Sequence, residues 1–316
     1  MPITLTSEVF EVVIAPERGA DILSLTDLAT GVQTLAVSPT GQVTSGPFVS
    51  ADSMVAWTNG YPGGWQLMVP NAGPARMHDG VLQGYHGEAS LARWQILEQS
   101  ESSAVLTTQL FTAPLSLTRS ISLTGSELSV TDTITNQSPD PCCFRLGQHP
   151  AFGTPFLDEH SYIVMNAATF MADAVAPGSL SSPDAAGRPE RVLPAGPVPN
   201  SLAIPAPGSG ESLFGALTDF TESSAAATFF SPSQGFGIRL GWERSVYPNA
   251  WLWMEANAGA GWPWFRRLYS MAVEPVNVIP GEGASSSGHA RGGAGVEVAA
   301  GESLSSSITV SRVQLP

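Results

Sequence analysis

Apolar and polar residues alternate over short runs along most of the chain. Near the N-terminus the apolar residues Phe10, Val12 and Ile14 alternate with polar neighbours, and a turn at 16–19 separates them from a second apolar run at 22–25. Residues 115–123 and 128–134 alternate in the same way around a turn at 124–127, and residues 304–310 repeat the pattern after a turn at 300–302. A period of two places successive side chains on opposite faces of a strand, so the pattern predicts antiparallel hairpins.

Helix is expected to be scarce. No stretch holds a 3.6-residue apolar period with capping residues at both ends, and 32 glycines and 26 prolines interrupt the short apolar runs. Together these features predict an all-β protein built as a large antiparallel β-sandwich. Residues 174–212 are rich in Pro, Gly, Ser and Ala and fit either an interdomain linker or a long surface excursion. We favour the excursion, within a single domain at 1–316, and predict a loop at 281–295.

Composition narrows the classes of ligand and compartment. The net charge of −14 argues against nucleic acid and disfavours phosphorylated ligands. All 13 basic residues are arginines, which excludes lysine Schiff-base chemistry. There is no apolar run long enough to span a membrane, and the first residues lack the pattern of a secretory signal, so we expect no membrane partner and a cytoplasmic location. The adjacent Cys142 and Cys143 fit a reducing compartment better than a disulfide framework.

Three separated segments, 84–89, 147–153 and 272–277, each carry one side chain that can handle protons. These side chains are His86, His149 and Glu274, and each is followed by a glycine or a proline that constrains the backbone. Two imidazoles and a carboxylate suit acid–base chemistry near neutral pH. Glu274 lies in an apolar stretch, so desolvation is expected to raise its pKa towards neutrality.

Taken in order, these segments and their surroundings resemble the galactose mutarotase-like (aldose 1-epimerase) family from about residue 8 to about residue 312. The first block runs through 63–73 to His86-Gly87-Glu88, the second is 147–153, and the third runs from 251 to 275. The resemblance implies a β-supersandwich enzyme, an isomerase that interconverts the α and β anomers of an aldose without a cofactor or metal. It also implies Glu274 as general base, His149 as general acid and His86 as the residue that orients the substrate.

The resemblance further implies that Asn71 lines the sugar pocket. Relatives commonly carry an arginine directly after this asparagine, whereas this chain has Ala72, and we predict that Arg76 binds sugar hydroxyls instead. Trp253 is a candidate for stacking on the apolar face of a pyranose, because it shares one face of a predicted strand with Trp251. The expected partner is a small-molecule sugar, and the chain is expected to be a monomer or a homodimer.

Alternative functions remain open at this point. One is a non-catalytic carbohydrate-binding protein on the same fold. Another is a hexose-6-phosphate epimerase, which the acidic charge and the lack of an arginine cluster disfavour. A metal site at His78, His86 and Glu88 fits no zinc motif, and a serine hydrolase would need a Gly-x-Ser-x-Gly elbow that the chain lacks.

Overall fold

The computed structural model describes residues 1–40, 50–181, 189–191, 196–198, 201–280 and 295–316. Within these residues, two large antiparallel sheets contain nearly all of the regular structure. The first sheet has eleven strands, in the spatial order β1 (Ile3–Thr6), β2 (Phe10–Ala15), β3 (Asp21–Asp27), β5 (Trp65–Met68), β13 (Gly147–Phe152), β22 (Tyr269–Val276), β21 (Asn249–Ala256), β18 (Glu211–Phe220), β15 (Ala167–Ala172) and β16 (Pro189–Arg191), with β4 (Val32–Gln33) beside β3.

The second sheet has nine strands among the described residues, and two short two-stranded antiparallel sheets complete the described architecture. The nine strands are, in spatial order, β17 (Ser201–Ala203), β14 (Tyr162–Met165), β19 (Ser224–Ser231), β20 (Phe236–Glu243), β24 (Ser303–Gln314), β11 (Glu127–Asn136), β10 (Leu115–Thr124), β9 (Ser103–Gln109) and β8 (Gln95–Gln99). The short pairs are β6 (Arg76–His78) with β7 (Val81–Gln83), and β12 (Cys142–Phe144) with β23 (Val296–Val298).

The predicted all-β sandwich is confirmed, and the hairpin formed by β10 and β11 illustrates why. Buried and more exposed residues alternate along both strands, as the period-two pattern requires. The strands are joined by Gly125 and Ser126, and the backbone of Gly125 has a φ of 59°. A positive φ costs glycine little, so this residue allows the tight turn that the sequence predicted.

One short helix, α1 (Ser53–Asn59), lies within the described part of the chain and was not predicted from the sequence. Asp52 caps it, because its Oδ1 accepts hydrogen bonds from the backbone N–H groups of Met54 and Val55 at 2.8 and 3.2 Å. At seven residues the helix is too short to display a helical period in the sequence. It carries Trp57 towards the face of the first sheet that holds the candidate site described below.

The two large sheets share one apolar core, and a buried polar network joins them within it. The buried apolar cluster extends from Ile3 to Val310 along the chain. Gln148 on β13 donates from Nε2 to Asp132 Oδ2 on β11 at 2.7 Å, and it accepts from Arg119 Nη2 on β10 at 3.0 Å. Because successive residues of a strand face opposite ways, His149 points out of this core.

The described parts of 174–212 are loops and short strands that lie along the two sheets, while the remainder of this segment lies outside the described residues. The loop predicted at 281–295 also lies almost wholly outside them. Among the helices that the structure describes, none has the length and apolar character needed to cross a bilayer.

Candidate active site

Two of the three predicted proton-handling residues lie opposite each other on neighbouring strands. The register of β13 against β22 pairs Gly147 with Val276 and Ala151 with Ala272, which puts His149 opposite Glu274. The next strand, β21, places Trp251 opposite Glu274. All of these side chains project from the face of the first sheet that is turned away from the second sheet.

His149 and Glu274 form a close, buried pair. The distance between His149 Nε2 and Glu274 Oε1 is 3.7 Å, and the residues are 5% and 2% exposed. Burial raises the pKa of Glu274 well above its usual range and lowers the pKa of His149 to about 4. Glu274 Oε2 has no hydrogen-bond partner among the described residues. A buried carboxyl oxygen without a hydrogen bond is costly, which is typical of a functional site.

His86 approaches this pair from a loop that follows β7. Its backbone has a φ of 54°, and the next residue, Gly87, has a φ of 73°. A Cβ atom at Gly87 would lie 2.3 Å from the carbonyl oxygen of Val69, so the loop can pack this closely only with glycine. The imidazole rings of His86 and His149 are 5.6 Å apart between centroids.

The hydrogen bonding of His86 defines its protonation. Its Nδ1 accepts a hydrogen bond from the backbone N–H of Gly73 at 3.2 Å. In a neutral imidazole the other nitrogen then carries the proton, so Nε2 is a hydrogen-bond donor. Burial, followed by the proximity of His149, lowers the pKa of His86 well below its usual range. With Nδ1 engaged by Gly73, His86 is suited to donate a hydrogen bond from Nε2 to a ligand oxygen.

These three residues lie in a cavity of about 770 Å³ with a largely aromatic wall. Tyr61 stacks on Trp57 of α1 at a centroid distance of 4.9 Å and meets the His149 ring edge-on at 5.7 Å. The ring of Trp253 lies 5.6 Å from the ring of His149 between centroids. The aromatic lining residues are Trp57, Tyr61, Tyr85, Phe214, Trp251, Trp253, Trp262 and Trp264. Flat apolar rings around a few polar groups are typical of a small-molecule site, and ring faces can stack on a sugar.

The charged side chains that line the cavity are all acidic. They are Asp173, Glu255 and Glu274, and the described lining contains no arginine. Burial also raises the pKa of Glu255. A site with carboxyl groups and no cation disfavours anionic ligands, since an anion would be repelled without a compensating charge.

Of the remaining predicted site residues, Trp253 lines the cavity, whereas Asn71 and Arg76 are not among its described lining residues. Asn71 is fully buried, and its Nδ2 donates to the carbonyl oxygens of Pro74 and Gly84 at 2.8 and 2.9 Å. It thereby holds together the two loop segments that flank the Gly73 contact with His86. Its position supports a structural role in shaping the loop.

Arg76 lies on β6 and is engaged with its own hairpin. Its Nε donates to Gln83 Oε1 at 3.1 Å. Burial, with a contribution from the nearby Arg145, lowers the pKa of Arg76 to about 10. Arg76 is not among the described lining residues of the cavity, so its predicted contact with sugar hydroxyls stays a prediction.

The alternative metal site at His78, His86 and Glu88 is not assembled. His78 Nε2 lies 2.9 Å from the carbonyl oxygen of Cys143, outside the cavity. Glu88 accepts hydrogen bonds from the backbone N–H groups of Phe111 and Thr112, at 2.5 and 2.7 Å. Across the described ranges, no group of three or more His, Cys, Asp or Glu side chains is placed to hold a metal ion.

Sequence reasoning missed several residues of the cavity wall. Trp57 and Tyr61 lie on and after the unpredicted helix α1, and Asp52 was the available capping signal. Tyr85 directly precedes His86 and could have been included with that motif. Asp173 and Glu255 carry no local signal, because only the pairing of distant strands brings them to the same face.

Comparison with solved structures identifies the fold. Slr1438 from Synechocystis sp. superimposes with a TM-score of 0.71 at 17% identity, covering 100% of this chain and 96% of that chain. A galactose mutarotase-like protein from Lactobacillus casei superimposes with a TM-score of 0.69 at 21% identity, covering 99% of this chain and 100% of that chain. A galactose mutarotase related enzyme from Lactobacillus acidophilus superimposes with a TM-score of 0.68 at 15% identity, covering 100% of both chains. At these identities the similarity defines the fold alone, which is galactose mutarotase-like.

A search of curated proteins found no match. A family model described as "Domain of unknown function (DUF4432)" matches residues 3–311, nearly the whole chain. The chain therefore belongs to the DUF4432 family and has the galactose mutarotase-like fold.

Proposed function

We propose that this protein is an aldose 1-epimerase-like isomerase that interconverts the α and β anomers of a neutral aldose. The observation that carries the proposal is the buried pair of His149 and Glu274, with 3.7 Å between Nε2 and Oε1, in an aromatic cavity. Anomer interconversion needs one group that removes a proton and one that supplies a proton on the same substrate. The pair offers both within the reach of one sugar ring.

The proton balance of the reaction matches the pair. Because burial raises the pKa of Glu274 and lowers that of His149, a single proton shared by the two groups favours the carboxyl group over the imidazole. Transfer of this proton to His149 gives a carboxylate and an imidazolium. Glu274 then takes the proton of the C1 hydroxyl, and His149 gives its proton to the ring oxygen. The bond between C1 and the ring oxygen breaks, and an open-chain aldehyde forms.

Ring closure reverses these transfers after rotation about the bond between C1 and C2. His149 takes the proton of the attacking hydroxyl, and Glu274 returns its proton to the aldehyde oxygen, which becomes the new C1 hydroxyl. His86 Nε2–H donates a hydrogen bond to the anomeric oxygen and stabilises the negative charge that develops there. Trp253 offers a flat apolar surface for the sugar ring. No proton is gained or lost over the cycle.

Substitution of the pair tests this function. We expect Glu274→Gln and His149→Asn each to lower the rate of anomerisation by at least about 10²-fold, the usual scale for loss of a general acid or base. Stopped-flow polarimetry of freshly dissolved aldoses measures the rate. His160→Asn is the matched control, because His160 is exposed and does not line the cavity; its rate should equal that of the wild type.

A near-normal rate in either substituted protein would remove that residue from the mechanism. A wild-type protein that binds aldoses in saturation-transfer NMR without accelerating their anomerisation would instead identify a carbohydrate-binding protein on this fold. The same panel, extended to phosphorylated aldoses, distinguishes the neutral substrate proposed here from a hexose 6-phosphate.

A further inference from the structure

The cavity continues well beyond the catalytic pair. Its lining comes from five consecutive strands of the first sheet and their ends, from His149 on β13 to Asp173 just after β15. With neighbouring strands about 4.8 Å apart, this width is about 19 Å. A pyranose ring with its hydroxyl groups measures only about 7 Å across, from bond lengths of about 1.5 Å. One sugar at Glu274 therefore leaves much of the cavity unfilled.

The sheet register locates the far end of the cavity. Phe214 on β18 lies opposite Trp253, and Ser212 lies opposite Glu255. Asp173 lies opposite Phe214, because its backbone N–H donates to the Phe214 carbonyl oxygen at 2.9 Å. Strand spacing and rise per residue place the Cα atom of Asp173 about 16 Å, and that of Glu255 about 14 Å, from the Cα atom of Glu274 along the sheet. Both separations exceed the width of one pyranose ring, so the two carboxyl groups lie towards a second position in the cavity.

The two distal carboxyl groups are buried and are held in place by backbone donors. Asp173 is 8% exposed, and its Oδ2 accepts from the N–H groups of Val175 and Ala176 at 3.0 and 2.7 Å. Glu255 is 6% exposed, and its Oε1 accepts from Gly259 N–H at 2.9 Å. Asp173 Oδ1 makes no hydrogen bond to the described residues. A fixed carboxyl oxygen in a cavity is an acceptor for ligand hydroxyl groups.

Apolar surface lies beside these acceptors. Phe214 and Trp253 are half-buried neighbours on adjacent strands, and both line the cavity. At its rim, Val175 and Trp262 also line the cavity and are 85% and 49% exposed. Acceptors set among aromatic and aliphatic faces match a sugar, which presents hydroxyl groups at its edge and C–H groups on its faces.

We propose that Asp173, Ser212, Phe214 and Glu255 form a distal subsite that binds the second sugar of a neutral reducing oligosaccharide. The sugar at the reducing end, which carries the free C1 hydroxyl group, lies at Glu274 and His149, so this inference rests on the proposed function. Trp253 lies between the two positions. The absence of arginine from the described lining disfavours an anionic extension, such as a phosphate, at this end.

Binding by the full chain tests the subsite without requiring turnover. Isothermal titration calorimetry compares glucose with maltose, cellobiose and lactose, and galactose with β-1,4-galactobiose. We expect at least one disaccharide to bind about tenfold or more tightly than its reducing-end monosaccharide, a difference of about 1.4 kcal/mol. In Asp173→Asn and Glu255→Gln the ratio of the two affinities should fall about tenfold, because each loses a charge-assisted hydrogen bond to the second sugar.

Asp219→Asn is the matched control. Asp219 lies on β18, like Ser212 and Phe214, but it is exposed and does not line the cavity. In this variant the ratio of disaccharide affinity to monosaccharide affinity should equal that of the wild type. Thermal melting verifies that all three substituted proteins fold. Equal binding of monosaccharides and disaccharides, no binding of either, or an unchanged ratio in both subsite variants would overturn the subsite.

Polarimetry on the same proteins separates this outcome from the fate of the proposed function. If monosaccharides are anomerised but disaccharides gain no affinity, the subsite is wrong and the epimerase function stands. If no sugar is anomerised while disaccharides bind more tightly in the expected way, the subsite stands and the epimerase function is wrong.

Discussion

At the scale of single residues, Glu274 shows how the candidate site opposes stability. Its side chain is fully enclosed by the cavity wall, and one of its oxygens has no partner among the described residues. Burying an ionised carboxylate in this way would be very unfavourable, so the folded protein favours the protonated form and raises the pKa. The group that is proposed to act as base is therefore a destabilising element of the fold at neutral pH.

This cost gives a pH-dependent prediction for Glu274→Gln. The usual pKa of the carboxyl group is 4.5, and burial raises it in the folded chain. The stability that Glu274 contributes is thus fully present below pH 4.5, and it is lost as the pH rises towards the pKa of the folded state. Glutamine does not titrate. We expect the variant to gain stability relative to the wild type by about 1.4 kcal/mol for each pH unit in this window.

Urea unfolding of both proteins at pH 5 and pH 7.5 measures the difference. Glu127→Gln, at the exposed first residue of β11, is the control for replacing a carboxyl group with an amide. A gain for Glu274→Gln that is equal at both pH values would contradict the buried, protonated carboxyl group.

Single residues also mark where sequence reasoning reached its limit. His149 and Glu274 were chosen from separate motifs, and the sheet register brings them together. Arg76 was chosen because it follows Asn71 closely in sequence, but the hairpin of β6 and β7 turns it towards Gln83. Proximity along the chain does not by itself determine which way a side chain on such a hairpin points.

At the scale of secondary structure elements, β13 joins the candidate site to the core. His149 faces the cavity, and its neighbour Gln148 faces the space between the sheets. Gln148 accepts from Trp65 Nε1 at 2.8 Å and donates from Nε2 to Tyr247 OH at 3.0 Å, in addition to its bonds with Arg119 and Asp132. Gln148 is thus hydrogen-bonded to four buried polar side chains from other parts of the chain.

Gln148→Leu should therefore be strongly destabilising. It removes both the donor and the acceptor, and leaves buried polar groups of Trp65, Arg119, Asp132 and Tyr247 without this partner. We expect the free energy of unfolding to fall by about 2–5 kcal/mol, as is usual when a buried network loses a member. Urea unfolding followed by tryptophan fluorescence measures the change.

Gln137→Leu is the control, since Gln137 is exposed and its side chain donates to Ser116 Oγ at 2.9 Å. Its effect should stay within about 0.5 kcal/mol. If Gln148→Leu is equally mild, the network does not hold β13 in place, and the position of His149 depends on its own packing in the cavity.

The elements themselves were predictable in proportion to the regularity of their pattern. Strands with one buried face, such as β2, β10, β11 and β24, alternate clearly in the sequence and were found as predicted. In contrast, β13 and β22 are buried on both faces and show no alternation. Their importance came from the motifs that they carry. The pairing of β18 with β21, which creates the distal end of the cavity, leaves no local signal.

At the scale of the whole molecule, charge and cavity lining act in the same direction. The chain has a net charge of −14, and the charged residues of the described cavity lining are carboxyl groups only. The negative field of the chain repels anions, and salt weakens this repulsion because the Debye length falls from about 30 Å at 0.01 M to about 10 Å at 0.1 M. Neutral sugars are not affected by the field.

This field predicts how phosphorylation of the substrate changes the rate. At 10 mM ionic strength, we expect kcat/KM for glucose 6-phosphate to lie well below the value for glucose, because the phosphate must approach a chain with a net charge of −14 and a cavity whose described lining contains no arginine. Raising NaCl to 0.3 M should increase kcat/KM for glucose 6-phosphate several-fold and leave the value for glucose unchanged, since screening reduces only the repulsion of the anion. Polarimetry at both salt concentrations measures kcat/KM for each sugar, and glucose serves as the internal control.

A phosphorylated sugar that is preferred at low salt, with a preference that declines as salt is added, would require an attractive cationic site. That result would favour the hexose-6-phosphate epimerase over the neutral-sugar epimerase proposed here.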